Sequence, residues 1–168
     1  ADKMFNNALD SSETKGTNWG SSYTTINNAN LILRHVPDIA FSDENQKNLI
    51  LANAHFVRAY TYYNIVRVWG DAPLLLEGFE SSDNDLQPSR SDAALIYEQV
   101  ARDIDDALRL MPASAADCTI ATRSAVQMLK ADYNLWLYQT REGGDDALTA
   151  ADEALAEVFK DSRLDLIG

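Results

Sequence analysis

Several residue types are scarce in this chain, and each shortage closes a route. A single cysteine, Cys118, among 168 residues leaves no disulfide within the chain. No histidine or other base stands near it in a motif, so the pattern of a cysteine nucleophile is missing. The two histidines, His35 and His55, fall on different expected helices, and neither has a second ligand at metal spacing. No metal and no cofactor is expected. With 7 glycines and 4 prolines the sequence is neither loop-rich nor collagenous. Gly143-Gly144 lacks the Lys-Ser or Lys-Thr of a phosphate loop, and no Gly-x-Ser-x-Gly elbow occurs. No run approaches the about 18 apolar residues of a membrane-spanning helix. Basic residues are also few: Lys and Arg number 14 against 26 Asp and Glu, a formal charge of -12. A surface of that sign repels phosphates, so nucleic acid is excluded as a partner. It equally disfavours an anionic membrane surface.

What remains is ordinary for a globular protein: 46% apolar and 24% charged residues, in a length suited to one domain with a real core. The pattern is helical throughout. A polar stretch over residues 1–20 reads as mostly loop. A helix from about Ser22 to His35 carries Ile26, Ala29, Leu33 and Val36 on one side and ends at Pro37. Ser42, followed by acidic residues, reads as the cap of a long helix that runs to Trp69. On it Phe56, Tyr60, Tyr63 and Val66 recur at helical spacing. Gly70 then suits a left-handed C-terminal position, and Pro73 forbids continuation. A connector with a short extended strip at Leu74–Leu76 leads to Ser91, read as the cap of a third helix whose apolar face is Ile96, Val100, Ile104, Ala107 and Met111.

A fourth helix, about Thr122 to Arg141, turns Val126, Leu129, Tyr133, Trp136 and Leu137 inward. After Gly143-Gly144 a fifth, Asp145 to Phe159, shows a stripe of Ala147, Ala150, Ala151, Ala154 and Val158. Small residues let two helices approach closely. Tyr63-Asn64-Ile65 recurs 70 positions later as Tyr133-Asn134-Leu135. An aromatic helix followed by an alanine-bearing one is the logic of tetratricopeptide hairpins, although their period is about 34 residues. The expected fold is therefore all-α, built of antiparallel helix hairpins in a single domain over residues 1–168.

The acidic residues offer little chemistry. Asp83-Asn84-Asp85 opens like a calcium loop, but Pro88 stands where the glycine belongs and Ala94 where the glutamate belongs. Asp103, Asp105 and Asp106 lie on a helix and read as a solvated face.

The long helix also carries a resemblance. Ala54, Phe56, Val57, Arg58, Ala59, Tyr60 and Tyr62, followed by Ile65, Val66, Arg67, Val68, Trp69, Gly70, Asp71, Ala72, Pro73 and Leu74, resemble a signature of the SusD/RagB family. So do Trp19, Tyr23, Ile26, Asn27, Ala29 and Asn30 before it. Pro88-Ser89-Arg90-Ser91 through Met111-Pro112 and Thr122-Arg123 through Tyr138 after it agree as well. The resemblance covers about residues 19–158. It implies a tetratricopeptide-like scaffold and a non-catalytic, lipid-anchored outer-membrane protein that captures a glycan or other nutrient oligomer. It also implies delivery to a SusC-like, TonB-dependent transporter. The first residues, Ala1-Asp2-Lys3-Met4-Phe5, have no apolar leader and read as mid-protein, so the chain is expected to be an N-terminal piece of a longer lipoprotein, without its anchor.

Under that resemblance, sugar binding needs an exposed aromatic for the apolar face of the ring and polar side chains for its hydroxyls. Asn18 and Trp19, in a polar stretch before the first helix, fit best. Asn27 and Asn30 supply further donors. The competing role for Trp19 is to fold back as a hydrophobic staple. Two other functions suit an all-helical chain: a tetratricopeptide-type adaptor with a peptide in its groove, and a helical glycan-processing enzyme.

Overall fold

The computed structural model describes residues 19–80, 87–112, 120–141 and 143–161. Asn18, the Asp83–Asp85 segment and Cys118 lie outside them. Among the described residues are five α-helices: α1 (Gly20–His35), α2 (Glu44–Trp69), α3 (Ala93–Leu110), α4 (Arg123–Thr140) and α5 (Gly144–Phe159). A 3-10 turn, Val36–Asp38, follows α1. No strand forms among them; Ala72 and Ser91 make one isolated antiparallel bridge. Successive helices pack as antiparallel neighbours. Trp19, at the start of α1, meets Trp69, at the end of α2. Tyr97, early in α3, meets Tyr133, late in α4. The all-α hairpin architecture is the one expected.

Local chemistry sets the ends. Pro37 does not stop α1 outright: it sits in the first turn of the 3-10 segment, where its missing N–H costs nothing. The cap of α2 is Asp43 rather than Ser42, its carboxylate accepting from the Asn45 N–H at 2.9 Å. The cap of α3 is Asp92 rather than Ser91, accepting from Ala94 at 2.7 Å. In both places an aspartate one residue on takes the task, because its charge also suits the positive helix end. Thr122 caps α4, its hydroxyl oxygen accepting from the Ala125 N–H at 3.2 Å. Gly70 closes α2 at φ +69°, a backbone that side chains resist.

The apolar face expected on α2 is only partly the buried one. Tyr63 and Val66 are buried, but Phe56 is half-buried and Tyr60 is 54% exposed. Ala52, Ala59, Tyr62 and Ile65 are buried instead. The reason is position: α2 packs against α1 on one side and α3 on the other, so it needs two buried stripes, and alanines let its neighbours close in. On α3 the expected face, Ile96 through Met111, is buried entire. On α5, Ala147, Ala151, Ala154 and Val158 are buried and Ala150 is half-buried. The two repeated tyrosines pack on each other, Tyr63 edge-on to Tyr133 with centroids 5.9 Å apart. Each hydroxyl donates to a carbonyl, Tyr63 to Asp132 at 3.0 Å and Tyr133 to Tyr97 at 2.9 Å.

The link from α2 to α3 is clamped at its roots. The Asp71 carboxylate accepts from the Ala93 N–H at 2.9 Å, and the Ser91 N–H donates to the Ala72 carbonyl at 3.0 Å.

Candidate functional site

Between those roots the connector leaves Pro73 in extended form. Among the described residues it has no strand beside it, and several of its backbone polar groups are met by side chains instead. Tyr62 meets Leu75 twice: its hydroxyl accepts from the Leu75 N–H at 2.7 Å and donates to the Leu75 carbonyl at 2.9 Å. Further bonds come from one face of α1, where positions 23, 27 and 30 align at helical spacing. The Tyr23 hydroxyl donates to Pro73 O at 2.7 Å. Asn27 takes both backbone groups of Phe79, accepting from N–H at 2.6 Å and donating to the carbonyl at 3.4 Å. Asn30 donates to the carbonyls of Leu75 and Glu77 at 2.9 and 3.2 Å. Farther along, Glu80 pairs with Arg34 and His35. Gly78 lies so close to α1 that an added Cβ would stand 2.5 Å from Leu31 Cδ2.

This strapped connector and the start of α1 enclose an open hollow of about 380 Å³. Trp19, Tyr23 and Phe79 give it aromatic walls, Pro73, Leu75 and Pro88 apolar edges, and Gln87 an amide. A second hollow, about 300 Å³, shares Tyr23, Leu75 and Phe79 and is lined also by Asn27 and Asn30. Trp19 is half-buried, 5.8 Å from Tyr23 and 5.7 Å from Trp69, with the Arg90 guanidinium 5.4 Å from its ring. Burial pushes the Tyr23 hydroxyl up to about 12, while the Arg90 charge works the other way.

The expected site residues thus have distinct fates. Trp19 lines the hollow and also packs against Tyr23 and Trp69. Asn27 and Asn30 lie in the adjoining hollow, but their amides hold the connector. Asn30 is 2% exposed, and its oxygen accepts from Arg58.

One reading of the acidic residues is overturned. Asp105 and Asp106 do pair near the surface, with Lys130 and Arg109. Asp103, however, has no exposed surface at all. It accepts from His55 Nδ1 at 2.7 Å and from Arg58 Nη2 and Nε at 2.7 and 2.8 Å. Burial pushes its carboxyl up, but the hydrogen bonds from His55 and Arg58 and the Arg58 charge outweigh that and hold it below the usual range. The signal was available: Asp103 is three residues past Val100 and four before Ala107, on the stripe of α3 that turns inward. The hollow's other lining residues had no such signal. Phe79, Gln87 and Pro88 reach it only through the path of the connector.

Among the described residues no group of three or more His, Cys, Asp or Glu could hold a metal ion, and no helix is long and apolar enough to cross a membrane.

Comparison with known proteins follows the same lines. Residues 2–131 match the SusD-like family model described as starch-binding associating with outer membrane. A SusD-like protein of Formosa agariphila is 29% identical over 149 residues, which are 89% of this chain but 28% of the relative. The chain thus spans less than a third of the length of that curated relative. A SusD superfamily protein of Parabacteroides distasonis shares the fold, with a TM-score of 0.87 at 24% identity over 99% of this chain and 36% of its own. A laminarin-binding SusD-like protein superposes with a TM-score of 0.69 at 26% identity, over 83% of this chain and 29% of that one.

Proposed function

This chain belongs to the SusD-like family, and from that premise we propose that it is the helical part of a cell-surface protein that captures glycan without catalysis and passes it to a SusC-like, TonB-dependent transporter in the outer membrane. The observation that carries the reading is the hollow beside Trp19. Sugar rings present flat apolar faces that stack on aromatic side chains, while a few polar groups take their hydroxyls. Trp19, Tyr23 and Phe79 offer such faces around one opening, with the Gln87 side chain at its edge. A relative that binds laminarin shares this fold, which supports a β-glucan among the first ligands to try. In this reading Asn18 and Trp19 meet the sugar, and Asn27 and Asn30 shape the site by holding its wall. The parts of a longer relative that this chain does not span add further contacts.

Titration calorimetry with laminarin, starch and a panel of other polysaccharides tests the proposal, on this chain and on a longer protein containing it. Binding is expected in the longer protein, weakened at least severalfold by Trp19→Ala and much less by Trp19→Tyr. A Trp19→Ala protein that folds and binds every ligand as tightly as the parent would remove the hollow from the site. Co-purification with a transporter of the TonB-dependent class tests the delivery step; a longer protein that never associates with one would count against it.

A further inference from the structure

Asp103, Arg58 and Asn30 belong to α3, α2 and α1, yet their side chains touch in series. Each has a polarity that leaves it one way to bond. An ionised Asp103 only accepts, Arg58 only donates, and Asn30 does both through different atoms. Arg58 gives Nε and Nη2 to Asp103 and Nη1 to Asn30 Oδ1, the last at 2.8 Å. With its oxygen turned to Arg58, Asn30 has only its N–H groups for the connector, and these meet the Leu75 and Glu77 carbonyls. A flipped amide would aim oxygen at two carbonyl oxygens. His55 fastens the far end by a further hydrogen bond to Asp103. No buried side-chain nitrogen or oxygen among the described residues lacks a partner, so the series is closed.

We infer that the Asp103–Arg58–Asn30 series is a positioning device: it sets the orientation of the Asn30 amide and so fixes the connector that walls the Trp19 hollow. Its functional consequence rests on the hollow being the ligand site; its structural effect does not. Apolar residues of similar size often replace a buried ion pair at little cost in stability. Positioning and stability can therefore be separated.

Amide hydrogen exchange on the 168-residue chain makes the separation. The wild type is compared with the double variant Arg58→Met/Asp103→Leu, which keeps the volume, removes the ion pair and leaves the Asn30 oxygen without its donor. Asn30→Asp is the second comparison; it keeps an acceptor for Arg58 but loses both donors to the connector. The reporters are the N–H of Leu75, held by Tyr62, and the N–H of Phe79, held by Asn27. Both variants should exchange these amides at least about tenfold faster while the amides of α4 keep their rates. Connector amides as protected as in the wild type would overturn the inference. A uniform rise over all helices would do the same, since it marks a role in overall stability. Should the double variant fail to fold, Asn30→Asp decides by the same two criteria. Laminarin titrations on these proteins test the consequence. Equal affinity in a variant with a released connector would overturn the functional consequence of the series. No binding by the wild type would count against the hollow as a glycan site and leave the exchange result standing.

Discussion

The molecule contains two versions of one motif, and they differ in how their helices are joined. In the second, α4 turns into α5 at Gly143-Gly144, and the pair is sealed by Ala147, Ala151 and Ala154. In the first, α2 reaches α3 only after a long connector, and the polar residues Asn30, Arg58 and Asp103 are buried around it. The core tyrosines Tyr63 and Tyr133 are shared equally between them. The difference teaches what an interruption adds to a hairpin: an aromatic hollow beside the connector, its wall held by hydrogen bonds from Tyr23, Asn27 and Asn30.

The comparison can be broken most severely at what the two halves share. Tyr63→Ala and Tyr133→Ala should each cost about 3–5 kcal/mol in urea melts, like other core aromatics. A loss under about half a kcal/mol at either position would mean that its ring is not core. A similar loss, about 3–5 kcal/mol, is expected for Arg58→Met alone, which strands the Asp103 charge, and far less for Arg58→Met/Asp103→Leu. Equal losses in the single and double variants would contradict the pairing. Gly78→Ala forces Leu31 to move and should cost about 1–3 kcal/mol. An unchanged midpoint would show that the connector stands farther from α1.

Titration sharpens the contrast further. The Asp103 carboxyl is held low in the folded chain, so its contribution is present above the unfolded value of about 3.9 and is lost as pH falls through the folded value. Acid unfolding of the wild type should therefore be steeper than that of Arg58→Met/Asp103→Leu. Matching acid limbs would refute the linkage. The Tyr23 hydroxyl lies the other way. With its folded value near 12, its contribution holds below about 10 and is lost as pH rises toward 12. Ultraviolet absorbance should show one late-titrating phenol disappear in Tyr23→Phe. The smallest effect is at the surface: removing the exposed Arg102–Glu98 pair should shift stability by no more than about 0.5 kcal/mol.

Much of this fold was legible in sequence because helices announce themselves locally. The stripe Ile96 to Met111, the alanines of α5 and the stop at Gly70 follow from spacing and backbone preference alone. The errors at Ser42 and Ser91 are of one residue, where two adjacent side chains could cap and the charged one did. The face of α2 was misjudged because one periodic stripe cannot show that a helix has neighbours on two sides. Trp19, an aromatic in polar surroundings, was legible as a residue that lines an open hollow. The tasks of Asn27 and Asn30 were not, because their partners, Phe79, Leu75 and Glu77, lie more than forty residues away and are backbone atoms, which no side-chain pattern encodes. Asp103 was missed by reading charge before phase.

The clamp at the roots of the connector, Asp71 to Ala93 and Ala72 to Ser91, has a consequence for how such a protein can diversify. It ties the last turn of α2 to the first turn of α3 whatever lies between. Lengthening a pinned loop adds only about 0.6 kcal/mol of closure entropy per doubling. Chain added between Glu80 and Gln87, beyond the backbone groups that Tyr23, Tyr62, Asn27 and Asn30 hold, can thus lengthen the connector while the two helix ends stay joined.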